Sequence, residues 1–334
     1  MNDSNDVSTG FAVSGVHRYA TCMVFATLFL IVAGGLVTST GSGLAVPDWP
    51  LANGQLFPEM VGGVFYEHGH RLVATAIGIL TIILTVWLWR ADPRPWMRKL
   101  GLVALAAVVC QGLLGGLTVI LNLPPAVSVA HACLGQLFFA TIVAIAVMTA
   151  PGWLRPPPAV RGDLSGLATL SAATTTVIFI QLLLGAVMRH TASGLAIPDF
   201  PLAFGRLVPP AFDAGIAIHF AHRIGALVVT VFVLLTAWRV VRRHGDLGTL
   251  IGPALTMVGI VPIQIMLGGM TVLSMKDVVP TTAHVVLGAV LLGSSVVLTL
   301  RSGRLLGVAE RLNTADRAGG TRHADGAALS GAAT

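Results

Sequence analysis

Four histidines recur in this chain at almost one repeat length: His70, His131, His222 and His284. His70 and His131 are 61 residues apart, and His222 and His284 are 62 apart. The first members of the pairs are separated by 152 residues and the second members by 153. A duplication has thus placed two histidine pairs in matching positions. Each histidine lies near the end of a long apolar segment, where an unpaired polar ring is costly to bury. Two facing imidazoles are what a buried haem iron needs above and below its plane. A lone histidine in a membrane helix is more often a hydrogen-bonding core residue; four at duplicated positions favour ligation. His70 with His131 makes one candidate axial pair, and His222 with His284 the other.

The neighbours of these histidines are chemically pointed. Arg71 and Arg223 follow His70 and His222 directly. A guanidinium fork at the edge of a haem pocket can pair with propionates, or it can snorkel toward headgroups. The two halves differ here: the first reads EHGHR over residues 67–71 and the second HFAHR over 219–223. Glu67 therefore stands opposite His219. Glu67 shares a helical face with His70, where a carboxylate could move protons or stabilise a cationic intermediate. The plainer reading makes it a first-turn residue favoured by the helix dipole. His219 could bond a propionate or the loop, and His68 is a weaker candidate.

The elements that carry these residues must be transmembrane helices. The chain has 334 residues, 55% hydrophobic and 10% charged, against about 25% charged in soluble domains. Eight apolar runs approach the length needed to cross a bilayer: about 17–38, 67–90, 100–121, 127–149, 166–188, 215–238, 250–272 and 280–300. Continuous runs of this length are helices, not barrel strands. Fifteen of the 20 Lys and Arg residues fall on one side, which places both termini in the cytoplasm and the four histidines toward the external face. This bias accounts for the net charge of +6 and argues against nucleic-acid binding. Helix 1 lacks the basic n-region and cleavage site of a signal peptide.

The repeat organises the rest. GSGLAVPDWPLANGQLFP at 41–58 matches ASGLAIPDFPLAFGRLVP at 192–209, and QGLLGGLTV from Gln111 matches QIMLGGMTV from Gln264. The expected fold is an all-α integral membrane protein, a tandem repeat of two four-helix bundles with a pseudo-two-fold axis along the membrane normal. The expected divisions are an N-terminal tail at 1–16, a first bundle at 17–150, a Pro-rich linker at 151–165, a second bundle at 166–300, and a disordered tail at 301–334. Asp48 and Asp199, in the two long external loops, are expected mainly to hold the loop fold. The Gln-x-x-x-Gly-Gly motifs are expected to let helices approach closely or leave room for a flat macrocycle. Cys22, Cys110 and Cys133 suit buried apolar roles, and the methionines are core filler, not iron ligands.

These markers together, GSGLAVPDWP, Glu67-x-x-His70-Arg71, QGLLGGLTV and the four spaced histidines, resemble the haem A synthase family across residues 17–300. The resemblance implies a membrane enzyme that oxidises a ring methyl of haem O to a formyl group through successive hydroxylations. It implies a haem b cofactor on His222 and His284, the substrate haem O near His70 and His131, and a catalytic acid at Glu67. Haem O, membrane lipid and an electron acceptor are the partners it implies, with a haem O synthase and a second copy of the chain as further ones. The setting it implies is a prokaryotic plasma membrane. Many members carry a cysteine pair in the first external loop; here that stretch holds Val46 and Ala52, so this is a cysteine-lacking branch. Two other readings of the histidines stand beside this one. A di-haem electron-transfer cytochrome would use both pairs without substrate chemistry. A duplicated transporter would use the histidines as a proton relay, which clustering at one face disfavours.

Overall fold

A computed structural model describes the backbone of residues 3–157 and 164–330. Among the described residues it is helical, with eight helices long and apolar enough to cross a membrane. In chain order the α-helices are α1 (Asp3–Ser39), α2 (Gly62–Ala91), α3 (Pro95–Ile120), α4 (Pro125–Thr149), α6 (Ser165–His190), α7 (Ala214–His244), α8 (Gly248–Leu273) and α9 (Val278–Ser330), which are the eight long ones, with a four-residue α5 (Pro151–Leu154) between α4 and α6. Prolines at the first turns of α3 and α4 start those helices where a missing N–H costs nothing. Asp213 caps α7 by accepting from the Ile216 N–H at 2.8 Å.

Each half packs its four long helices in the same way. In the first, α1 meets α2 and α4, and α3 meets α2 and α4; in the second, α6 meets α7 and α9, and α8 meets α7 and α9. Between the halves α1 packs on α9, α6 on α4, and α4 on α9. Exchanging the halves maps this set onto itself, as a pseudo-two-fold relation requires. Each half has its own core: Leu84, Leu88, Met97 and Ile142 in the first, Val233, Leu250, Met257 and Leu292 in the second. Phe139, Val143 and Ala289 fill a smaller cluster where α4 and α9 meet.

Most apolar side chains lie outside these cores. Phe25, Phe29, Ile79, Leu113 and Leu234 are exposed on the helix barrel, as lipid-facing residues are. The cysteines follow this logic and correct the sequence expectation: Cys22 and Cys110 are exposed and Cys133 half-buried. A small apolar side chain needs no core when the surrounding solvent is hydrocarbon. Many threonine hydroxyls inside the spans are satisfied internally. Thr27, Thr81 and Thr149 donate to carbonyls one turn back, while Thr174 pairs with Thr236 at 2.7 Å and Thr175 with Thr299 at 2.8 Å across helices.

The ends depart from the expected boundaries. The helix of α9 continues past residue 300, and Leu305 and Ala309 bury against the second-half core. Among the described residues the candidate membrane span of α1 is Gly15–Ser39. Of the expected linker, residues 158–163 lie outside the described residues.

Candidate functional site

The four histidines stand at equivalent heights. His70 and His222 are each eight residues past the first residue of α2 and α7; His131 and His284 are each six past the first of α4 and α9. At about 1.5 Å per residue this puts all four roughly 9–12 Å inside their helices, at one end of the bundle pair.

His222 and His284 face each other with ring centroids 6.4 Å apart and planes at 70°. Two imidazoles that bind one metal from opposite sides through bonds of about 2 Å have their centroids about 6 Å apart. The second-half pair thus has the separation of a bis-imidazole iron site. His284 Nδ1 lies 3.1 Å from the Gln264 carbonyl oxygen. Donation from Nδ1–H there leaves the Nε2 lone pair for a metal. Among the described residues no three His, Cys, Asp or Glu side chains gather as a site for a bare ion. Two histidines at this separation suit a metal that brings its own equatorial ligands, which is what a haem does.

A glycine of the preceding helix backs every one of these rings. A Cβ at Gly34, Gly115, Gly185 or Gly268 would come within 3.0, 3.2, 3.0 or 3.3 Å of Cε1 of His70, His131, His222 or His284, respectively. Contacts that short force the ring to move. Gly115 and Gly268 belong to the Gln-x-x-x-Gly-Gly motifs, so the close-approach expectation holds there in detail. The second glycine of each motif receives the loop: a Cβ at Gly116 would overlap Trp49, and one at Gly269 would overlap Phe200. Gly34 and Gly185 escaped the sequence reading, because a single glycine in an apolar helix has no signature beyond its repeat partner.

The two long loops fold alike over this end of the bundle. Asp48 accepts from the N–H groups of Asn53 and Gly54 at 2.6 and 2.8 Å, and Asp199 from those of Phe204 and Gly205 at 2.7 and 2.8 Å. Ala52 pairs with Gln55, and Ala203 with Arg206, around turns whose two central residues both have positive φ. The Gly54 and Gly205 N–H bonds, foremost among several, hold the Asp48 and Asp199 carboxyls below the usual carboxylate range. Both aspartates hold the loop, as expected.

The arginines fasten each loop to its histidine helix. Arg71 donates to the carbonyls of Val46, Asp48 and Leu51 at 3.1, 2.8 and 3.0 Å. Arg223 donates to those of Ile197, Asp199 and Leu202 at 3.3, 2.7 and 2.7 Å. The carbonyls correspond one for one between the halves. Most guanidinium donors are thus spent on the loops, a use the sequence did not suggest.

Glu67 completes the first-half anchor. It is buried, accepts the Val46 N–H at 2.8 Å, and pairs with Arg71 at 2.6 Å. In the second half His219 Nδ1 lies 3.2 Å from the Ile197 nitrogen and accepts its N–H. Glu67 and His219 therefore do the same structural work, but only Glu67 brings a negative charge. His68 is buried with neither ring nitrogen bonded to protein. Arg189, near the same end of α6, donates to the Gly35 carbonyl at 2.9 Å and to Ser39 Oγ at 3.0 Å, tying the second half to α1.

Comparison with known proteins places this arrangement in a family. The family model described as cytochrome oxidase assembly protein, COX15-CtaA, matches residues 59–296. The chain is 30% identical over 237 residues to a protein of Geobacillus kaustophilus named "Heme A synthase", covering 68% of this chain and 72% of that one. A protein of the same name from Shouchella clausii is 30% identical over 68% of this chain and 76% of its own length. Another, from Halalkalibacterium halodurans, is 26% identical over 83% and 94%. The match spans both histidine pairs, and the chain belongs to the COX15-CtaA family of cytochrome oxidase assembly proteins.

Proposed function

We propose that this protein is a haem A synthase, an oxidoreductase that converts the ring methyl of haem O to a formyl group by successive hydroxylations. The carrying observation is the pair of histidines, His222 and His284, at the separation of a bis-imidazole site; the repeat puts His70 and His131 at the matching positions of the first half. The family relationship supports haem as the occupant. On this reading His222 and His284 hold haem b in the second half, and His70 and His131 hold the substrate haem in the first. Bound haem b supplies one-electron redox chemistry, and an electron acceptor takes what the oxidation releases.

The chain's own residues supply position and charge. The glycines set the four rings in place. The loops, held by Arg71 and Arg223, close the histidine end of each half. Both oxygens of Glu67 are engaged as acceptors, which suits a fixed negative charge beside a developing cation more than a proton shuttle. The second half, with His219 in that place, lacks this charge and suits a resident cofactor. The distribution of Lys and Arg supports a plasma membrane protein with cytoplasmic termini and haem sites toward the external face. A haem O synthase is a fitting neighbour, since it would deliver the substrate within the membrane.

The test is pigment extraction from membranes that contain this chain and a haem O source, with haem B, haem O and haem A separated by chromatography. Haem A that depends on this chain is the expected result. Bound haem B without haem A, despite ample haem O, would instead identify a di-haem electron-transfer cytochrome.

A further inference from the structure

The two long loops carry large apolar side chains on the outside. Leu56 and Phe57 are 71% and 80% exposed, and the matching Leu207 and Val208 are 85% and 56% exposed. Each pair follows closely on the tight turn of its loop, at Asn53–Gly54 and Phe204–Gly205. Little charge surrounds them. Residues 44–58 hold one ionisable side chain, Asp48, and residues 195–210 hold two, Asp199 and Arg206. Both aspartates are spent on backbone N–H groups inside the loop. Apolar side chains exposed together in this way mark a contact with something apolar.

The anchors of the loops decide which side the tips occupy. The halves pack on each other through α1, α4, α6 and α9, which leaves α2, α3, α7 and α8 on the outer sides. Trp49 lies against Gly116 of α3, and Arg71 of α2 holds the Asp48 and Leu51 carbonyls. Phe200 lies against Gly269 of α8, and Arg223 of α7 holds those of Asp199 and Leu202. Each loop is therefore pinned across the outer pair of helices, away from the other half. It is also pinned below the helix ends: Gly116 and Gly269 each stand four residues before the last residue of α3 or α8, about 6 Å inside. At that level the outer helices already expose apolar side chains, Leu113, Leu117 and Ile120 on α3 and Met266, Met270 and Leu273 on α8. A loop pinned there brings its tip to the edge of the same apolar belt.

We propose that Leu56–Phe57 and Leu207–Val208 insert into the membrane leaflet at the histidine end, where headgroups meet acyl chains, and that the bilayer thereby holds each loop down over its half. Apolar and aromatic side chains gain burial at that boundary, while backbone groups there must be paired or near water. The tips meet this condition. Ala52 and Gln55 exchange both backbone hydrogen bonds, as do Ala203 and Arg206. Pro58, Pro209 and Pro210 follow the tips and bring no N–H to satisfy. Arg206 is exposed beside Leu207, and its charge suits phosphate headgroups. This contact is independent of what the histidines bind.

The experiment uses the full-length protein in vesicles of phosphatidylethanolamine and phosphatidylglycerol. Cys22→Ala, Cys110→Ala and Cys133→Ala give a background free of thiols, and a nitroxide is attached at Phe57→Cys or Leu207→Cys. Both sites are exposed, so the label displaces no packing. Collision with oxygen, which concentrates in lipid, is compared with collision with a water-soluble nickel chelate. Ile79→Cys on the lipid-facing side of α2 and Asp246→Cys in the exposed α7–α8 turn supply the lipid and water references. The oxygen-to-nickel ratio at both tips should exceed that at Asp246→Cys several-fold and approach that at Ile79→Cys. Ratios equal to that at Asp246→Cys would put the tips in water and overturn the proposal. Poor access to both reagents would put a second copy of the chain on the tips and overturn it equally. In vesicles, Phe57→Glu with Leu207→Glu should speed hydrogen exchange of residues 44–57 and 195–208 several-fold and leave α2 and α7 unchanged. Unaltered exchange in the loops would show that the bilayer does not hold them.

Discussion

The halves of this protein are nearly the same scaffold with different fittings. Both back each histidine with glycine, both fold the loop around an aspartate, and both tie it down with an arginine on three carbonyls. They part at the atoms nearest the histidines. The first half has a buried carboxylate, a buried His68 and a His70 ring without an Nδ1 partner. The second has His219, Phe220 and a Gln181 amide that donates to the His222 carbonyl. After duplication, helix packing tolerates few changes, because each glycine contact is sterically tight. A single polar exchange leaves that packing in place while altering charge and hydrogen bonding. Two equal pockets can diverge in this way into a reactive one and a resident one.

The largest expected effect separates the two histidine pairs. His222→Ala or His284→Ala should remove most bound haem b, read from the absorption spectrum of the purified protein. His70→Ala or His131→Ala should keep that haem and abolish haem A. Full, spectrally normal haem b in both second-half variants would end the ligand assignment.

Glu67 tests whether charge distinguishes the halves. Glu67→His imports the second-half residue and keeps an acceptor for the Val46 N–H. Haem A formation should fall by roughly 10²-fold, with haem b retained. Product at the parent level would mean that Glu67 only anchors the loop.

The glycine supports should behave alike in both halves. Gly34→Val and Gly185→Val push the rings of His70 and His222 in turn, since their Cβ atoms start 3.0 Å from Cε1. Gly185→Val should lower haem b occupancy several-fold and Gly34→Val should leave it unchanged while slowing haem A formation. Equal haem content and activity in both variants would show that the rings have room to yield.

The smallest effect concerns the loop aspartates. Their carboxyls are held below the ordinary 3.8. A depressed folded pKa means that the anchor is complete above about pH 4 and is lost only as pH falls through the lowered value. Hydrogen exchange of residues 44–57 and 195–208 should therefore not vary between pH 5 and 8 beyond the intrinsic chemical rate. Asp199→Ala should loosen its loop more than Asp48→Ala, because Phe204 holds φ 56 without the tolerance that Asn53 has at φ 52. The reverse order would assign the turn to other contacts.

Much of this was readable from composition and spacing. Eight spans, the duplication and the paired histidines at one end follow from hydrophobic length and a fixed offset, since a bilayer demands continuous apolar helices and a repeat keeps its register. The Gln-x-x-x-Gly-Gly motif announced close approach, and Asp48 and Asp199 announced a turn. Other features have no linear signature. Nothing in EHGHR tells that Arg71 spends its fork on loop carbonyls, because those acceptors are backbone atoms more than 19 residues back. The exposure of Cys22 and Cys110 has no linear signature, because apolar periodicity does not separate a core from a lipid-facing surface.

The sequence by itself determined the number and length of the spans, the equivalence of the halves, and which residue types stand beside each histidine. Tertiary structure alone decided that His222 and His284 face each other at 6.4 Å, that His219 takes over the anchoring bond of Glu67, and that Gln181 reaches His222 through the space left by Gly225. Hydrophobic length and repeat offset are properties of one segment at a time. Facing, anchoring and clearance depend on pairs of residues 22 to 62 apart, and only helix packing brings those within a few ångströms.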